Sequence, residues 1–197
     1  MRKHFTSPLV VVLFLLGAAA HASPGAAGQP EVAPEEYAVY STLIGEQYLR
    51  DKIKLVVIAG TTAGVDSALV LPDNLLEHLA PLSRATYDDY LGKNNRPYKL
   101  GNSFSVRVKY VIVDFGDVEK LFERTNVDDG WKEFYRLYPD SRGYVAFSRV
   151  GFDREMDEAL VSMSLMCNSL CGEGRMFLMK KRDGRWEVEK QYTMWIS

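Results

Sequence analysis

The spacing of apolar residues gives successive parts of the chain different rhythms. Leu9 to Leu16 is an almost unbroken apolar run. From Glu35 to Arg50, Tyr37, Tyr40, Ile44, Tyr48 and Leu49 recur at the intervals of a helical face, and Pro34 stands just before it, where proline is tolerated. Ile53 to Ala59 is short, aliphatic and rich in β-branched residues, which predicts a buried strand. Gly60-Thr61-Thr62-Ala63-Gly64 breaks it. Pro72-Asp73-Asn74 predicts the start of a helix over Leu75 to Leu79, and Ser83 is placed to cap another from Arg84 to Leu91. Gly92 to Pro97 reads as a polar turn region. Phe104, Val106, Val108 and Tyr110 alternate with Ser105, Arg107 and Lys109, the period of a half-buried strand running on to Val113. Asp117 can cap a short helix to Phe122, and Asp128 or Asp129 can cap one carrying Trp131, Phe134, Tyr135 and Tyr138.

The last third changes character. Tyr144 to Val150, Glu158 to Leu165, Arg175 to Lys181 and Trp186 to Ile196 read as four strands. Gly151 to Asp157, a cysteine-bearing loop and Arg182-Asp183-Gly184 connect them. Asp-Gly between alternating runs is a strong hairpin signal, and short connections between consecutive strands predict an antiparallel meander. Helices first and strands last give an α+β class: N-terminal helices packed on a mainly antiparallel sheet that ends in a four-stranded meander. With no internal repeat and no linker, residues 35–197 are expected to form a single domain.

The apolar run near the start belongs to a different logic. Met1-Arg2-Lys3-His4 is basic, Gly17 to Ala20 is small, and Ala20-His21-Ala22 fits a small-x-small cleavage site. Residues 1–22 are therefore expected to be a signal peptide cut near Ala22-Ser23, and Ser23 to Pro34 a flexible lead-in. The run is shorter than the ~20 residues a membrane span needs, so no stable anchor is expected after cleavage. The expected location is exported, periplasmic or extracellular. The composition of the whole chain is ordinary, with 47% hydrophobic and 25% charged residues and a formal charge of -2, and removing Arg2 and Lys3 makes the processed chain slightly more acidic. It lacks the basic face that nucleic acid requires.

Cys167 and Cys171 are the two cysteines. In an oxidising compartment they are expected to close a local disulfide that fixes one loop. Thioredoxin-like chemistry would need C-x-x-C leading into a helix; here the spacing is longer and Gly172 and Gly174 follow. One histidine after processing, His78, together with two cysteines cannot complete a tetrahedral zinc site without carboxylates. No metal and no cofactor is expected.

Several segments resemble a set of small exported bacterial hypothetical proteins. They are Phe147-Ser148-Arg149-Val150-Gly151-Phe152, Cys167 with Cys171-Gly172-Glu173-Gly174, Asp183-Gly184-Arg185-Trp186-Glu187-Val188, and the ending Trp195-Ile196-Ser197. The usual hairpin of that set is similar to C-G-G-L-C-G-x-G; this chain keeps both cysteines and departs at the middle, at Asn168-Ser169. The resemblance implies a bacterial source and a shared fold, and carries no function. The layout is also similar to the α+β cone of cystatin and nuclear transport factor 2.

Candidate chemistry is sparse. His78 reads as a helix residue at the edge of an apolar stripe, with general base as the functional alternative. Neither G-x-S-x-G nor S-x-x-K occurs after the leader, and Ser148 on a strand is no nucleophile elbow. Gly60 to Gly64 lacks the Gly-Lys-Ser/Thr ending of a phosphate loop. Carboxylates are plentiful at Asp88, Asp89, Asp128, Asp129, Glu155, Glu158 and Glu173. A glycosidase needs two of them ~5–9.5 Å apart across a cleft. Glu173 and Arg175 flank Gly174 and form the best-placed exposed polar pair. Tyr87, Tyr90 and Tyr98 offer an aromatic platform, with core packing as the alternative, as it is for Trp131, Tyr135 and Tyr138. The expected binding residues are Glu173, Arg175, Tyr87 and Tyr90, and no catalytic residue stands out. The expected function is a non-enzymatic binding or structural module of the cell envelope, with an envelope protein or glycan as partner. The alternatives are a secreted carboxylate-dependent hydrolase and a protease-inhibitor-like module that presents Leu170 to Gly174.

Overall fold

The computed structural model describes residues 32–49, 53–64, 75–123 and 126–197. The expected signal peptide, most of the lead-in and Pro72-Asp73-Asn74 lie outside them. Helix α1, Pro34–Leu43, opens with proline at its first position, and its end is one π-helical turn, Ile44–Tyr48. Val32, the first described residue, is already buried. Strand β1, Leu55–Ala59, follows, then α2, Leu75–His78, and α3, Arg84–Lys93. Ser83 caps α3 as the sequence predicts, accepting from the Thr86 N–H at 3.2 Å. Strand β2, Lys109–Val113, leads to α4, Phe115–Glu123, and α5, Val127–Leu137. The remaining strands are β3, Tyr144–Phe147, β4, Gly151–Phe152, β5, Glu158–Asn168, β6, Cys171–Arg182, and β7, Arg185–Ile196.

The strands form one seven-stranded sheet in the order β2-β1-β3-β5-β6-β7, with β4 also paired to β5. β3, β5, β6 and β7 make the antiparallel meander, while β1 lies parallel to both β2 and β3. The fold is α+β with a mixed sheet. Because alternate strand residues point to opposite faces, β5 serves three cores, one on one face of the sheet and two on the other. Ala159, Val161, Met163 and Leu165 meet Tyr37, Tyr40, Leu43 and Ile44 of α1 and its extension. Leu160 packs with Leu75, Leu79 and Tyr90 of the α2–α3 region, and Met166 with Trp131 and Phe134 of α5.

Four expectations needed correction. The strand read from Phe104 to Val113 forms a ladder only from Lys109 onward, because β1 offers partners only to Lys109–Val113. Phe104 is buried against Tyr37 and Phe147, so the alternation upstream of β2 reports packing under α1. The strand read as Tyr144 to Val150 stops at Phe147 and resumes as β4 in what reads as a connection. The caps of α4 and α5 lie earlier than Asp117 and Asp128 or Asp129. Asp114 Oδ1 accepts from the Gly116 N–H at 2.8 Å, and Asn126 Oδ1 from the Asp129 N–H at 2.9 Å. Finally, β5 and β6 run past the expected ends to a two-residue turn, Ser169-Leu170, so the cysteine segment is a hairpin tip.

At the Asp183-Gly184 turn both residues have positive φ, 50° and 76°, the geometry that matches hairpin twist and that glycine adopts freely. Among the described residues no helix is long and apolar enough to cross a membrane.

Candidate functional site

The interruption between β3 and β4 is the most densely bonded place in the molecule. Glu36 lies on the inward face of α1 and is fully buried, and Arg149, in the break, is nearly so. Glu36 Oε1 accepts from Arg149 Nη2 at 2.7 Å and Oε2 from Arg149 Nε at 2.8 Å, a bidentate pair. Oε2 also accepts from the Val150 N–H at 2.9 Å and the Tyr40 hydroxyl at 3.3 Å. The Tyr40 hydroxyl also donates to the Ser148 carbonyl at 2.8 Å. Asn94 completes the knot: its Oδ1 accepts from the Arg149 N–H at 2.7 Å, and its Nδ2 donates to the Arg149 carbonyl at 3.0 Å. The guanidinium sits 4.4 Å from the centre of the Tyr98 ring. The hydrogen bond to Glu36 holds the Arg149 pKa above its usual value, while burial and the Glu36 charge push Tyr40 well up. Every charge here is matched, so the arrangement fixes the chain break and leaves nothing poised to react.

The segments that carry the bacterial resemblance serve this same kind of purpose. Ser148 Oγ donates to the Arg149 carbonyl at 2.9 Å and accepts from the Ser162 N–H at 2.8 Å, so it is a buried brace. A Cβ on Gly151 would strike the Tyr90 backbone N and lie 2.6 Å from the Thr86 carbonyl. A Cβ on Gly172 would lie 2.5 Å from Ser197 Oγ, and one on Gly174 would meet Trp195. Trp186 is buried and its Nε1 donates to Glu35 at 2.6 Å. Lys181 donates to the same oxygen at 2.7 Å and, foremost, holds the Glu35 carboxyl below its ordinary value.

The expected site residues are not brought together. Tyr90 is buried in the α2–α3 core, with its hydroxyl 3.8 Å from Met176 Sδ, and Tyr87 lies partly buried at the margin of that core. Tyr98 packs on the opposite face of the sheet, in the core under α1, so there is no three-tyrosine platform. Trp131 is buried, stacked on Tyr144 with ring centres 6.1 Å apart, and belongs to the α4–α5 core. His78 is exposed and stacks on Tyr192 at 4.8 Å.

Glu173 and Arg175 do form a pair, at 2.6 Å, each about 30% exposed. Both line a cavity of about 20 Å³ beside Gln47 and Tyr48, and Glu173 also borders a hollow of about 210 Å³ beside the cysteine turn. The first has room for about one water, and the second falls short of the ~300 Å³ at which ligand pockets begin. Cys167 and Cys171 are joined across the turn with Cα atoms 5.1 Å apart.

The carboxylates are distributed among separate structural ties. Glu158 is buried and accepts from the Ser83 N–H at 2.8 Å, Thr86 Oγ1 at 2.6 Å and Lys180 Nζ at 3.0 Å. Burial pushes its carboxyl up, but these donors outweigh that and hold it below its ordinary value. Asp89 accepts from the Phe152 N–H at 2.8 Å. In the glycine loop after β1, three of the five amides are already committed to carbonyls and cannot cradle a phosphate. The Gly60 N–H donates to the Val113 carbonyl at 2.7 Å, that of Thr62 to the Tyr98 carbonyl at 2.8 Å, and that of Ala63 to the Phe147 carbonyl at 2.8 Å.

Sequence reasoning missed the cleft on the outer side of α1, about 620 Å³ in volume. One wall is α1 and its π turn, with Ser41, Thr42, Gly45 and Glu46; the second is Ser105, Val106 and Arg107; the third is the β6–β7 turn with Arg185 and Trp186. Single π turns recur at functional sites in proteins. A Cβ on Gly45 would meet nothing within 4 Å, so the missing side chain keeps this wall open at a cost in helix stability. Arg107 and Arg185 are exposed and form no ion pair with any described residue; Arg96, Arg142 and Arg154 outside the cleft form none either, whereas Arg84, Arg136, Arg149, Arg175 and Arg182 do. Burial, then the nearby Glu187 charge, raises the Glu46 carboxyl. The signal that could have found this site is Gly45 within an otherwise helical apolar pattern.

Comparison with protein-family models, with curated proteins and with solved structures returned no match.

Proposed function

We propose that this chain is an exported binding module of the cell envelope, and that its ligand enters the cleft between α1, Ser105–Arg107 and the β6–β7 turn. The observation that carries this reading is the contrast in charge pairing. The buried Arg149 and the half-buried Arg175 are each held by a carboxylate, but Arg107 and Arg185, which line one cleft together, have no acidic partner among the described residues. A ligand-sized hollow lined by free polar groups and an open glycine wall suits recognition. Export rests on the leader-like first 22 residues and fits the bonded cysteine pair.

Two measurements test the reading. N-terminal sequencing of the chain recovered from a bacterial envelope or medium is expected to find Ser23 first; an uncut cytosolic chain overturns export. A thermal-shift screen against envelope glycans and peptides is expected to give hits that Gly45→Phe abolishes without lowering the melting temperature of the free protein. Hits that survive Gly45→Phe place binding outside the cleft and overturn that part. A second reading, a protease-inhibitor-like module, draws on the disulfide-held turn, whose Leu170 is 85% exposed. It requires inhibition of papain-like enzymes that Leu170→Ala weakens.

A further inference from the structure

We propose that the occupant of the cleft is an extended acidic peptide segment of a partner protein, laid along Ser105–Arg107 with its carboxylates against Arg107 and Arg185. This rests on the cleft being the binding site. Three observations converge on it.

The first is the stretch Phe104 to Val108, which has the alternation of a strand and yet no ladder. Phe104 is buried and Val106 and Val108 are partly buried, while Ser105 and Arg107 are exposed, so burial alternates up to a bend at Arg107 and Val108. Among described residues the backbone from Phe104 to Arg107 has a single partner: the Ser105 N–H donates to Ser41 Oγ at 2.9 Å. A segment with strand patterning and free backbone groups is a template for an added strand. Places where a locally consistent sequence fails to get its expected structure are often functional ones.

The second is charge. Arg107 and Arg185 enter the same cleft from different walls, and neither is neutralised by a described carboxylate. A guanidinium suits carboxylate geometry through paired N–H donors. The acidic groups bearing on the cleft are Glu46, whose carboxyl is raised, and Glu187, which is committed to Arg182 at 3.2 Å.

The third is the shape of the opposite wall. Gly45 presents no side chain and the Thr42 hydroxyl near it has no hydrogen bond to described residues, nor has the Ser105 hydroxyl across the cleft. They face an incoming main chain with small, adaptable donors and acceptors. β7 is the other open edge of the sheet, but register shifts opposite Gly174/Arg175 and Leu178/Met179 interrupt its ladder. Such bulges discourage pairing at an edge.

The test uses fluorescence anisotropy with the processed chain and three labelled hexapeptides that alternate valine with glutamate, glutamine or lysine. The glutamate peptide is expected to bind saturably, and the glutamine and lysine peptides at least tenfold more weakly. Arg107→Ala and Arg185→Ala should each weaken it at least tenfold, and methylating alternate backbone nitrogens of the peptide should do the same. Gly45→Phe should abolish binding. Equal binding of the glutamine peptide, insensitivity to both arginine variants, or no saturable binding up to millimolar concentration overturns the proposal. If an oligogalacturonate binds in its place and Gly45→Phe abolishes that binding, the peptide assignment fails and the cleft stands. If the glutamate peptide binds Gly45→Phe as it binds the wild type, the cleft reading itself fails.

Discussion

Helix α1 has two polar faces with opposite fates. Inward, Glu36 and Tyr40 enter a knot in which Arg149, Asn94 and the backbone of the broken strand satisfy every charge. Outward, Ser41, Thr42 and the following Gly45 look onto a cleft whose arginines hold no carboxylate among the described residues. Burying charge is tolerable only when it is paired and hydrogen-bonded, so the inner face had to be completed within the chain. The outer face borders water, where unpaired charge costs little, and it can stay incomplete until a ligand arrives. Satisfied polar groups mark what holds the fold, and in the proposed reading the unpaired arginines of the cleft mark where a ligand binds.

Variants of the inner face test this contrast most strongly. Arg149→Ala strands the Glu36 carboxylate without water and is expected to cost about 3–5 kcal/mol in chemical denaturation. The double variant Glu36→Gln with Arg149→Met should recover much of that. A single-variant loss under about 1 kcal/mol would mean the knot is not the clamp described. Gly151→Ala drives a methyl group into the α3 backbone and should cost about 1–3 kcal/mol. Unfolding curves indistinguishable from wild type would show that α3 can shift freely. Replacing both Cys167 and Cys171 with serine opens a very small ring, for which the chain-entropy model gives about 2 kcal/mol. A much larger loss would assign the turn a packing role beyond the bond.

Acid should reveal the buried carboxylates. Glu158 and Glu35 are held below the ordinary value of 4.5, so the stability they add is fully present above that pH. It is lost as pH falls through their lowered values, where the folded protein must take up protons it binds less readily than the unfolded chain does. Glu46 is raised and runs the opposite way, its penalty easing on acidification. Denaturation between pH 6 and 3 should therefore show a loss that Glu158→Gln flattens; an unchanged profile in that variant would remove Glu158 from the account. The cleft should give the smallest effects. Arg107→Ala and Arg185→Ala are expected to move stability by no more than about 0.5 kcal/mol. Gly45→Ala should raise it by about 0.5–1 kcal/mol, as an open glycine in a helix allows. A large loss from either arginine variant would make it structural and erase the contrast between the two faces.

The comparison also explains which residues were legible beforehand. The resemblance segments, Phe147 to Phe152 and Cys171 to Gly174, hold a chain break and a close-packed hairpin, so they report the fold and are silent on function. Glu173 and Arg175 were readable as a polar pair because they lie two apart on one strand face. That they close a space the size of about one water depends on Tyr48 and Gln47, more than a hundred residues away. Tyr87, Tyr90 and Tyr98 look like a cluster in sequence, but the sheet passes between two of the cores they enter.

By itself the sequence determined the elements whose cause is local: the leader-like start, the Ser83 cap, the meander and the Asp183-Gly184 turn. Each follows from a period, a cap or a backbone angle specified within a few residues. Only the tertiary structure decided that β1 would lie parallel between β2 and β3, that Glu36 would meet Arg149 across 113 positions, and that Phe104 to Val108 would have no partner strand among the described residues. Those outcomes depend on which distant surfaces exclude water together. No window of neighbouring residues contains that information, and the cleft outside α1 is made of it.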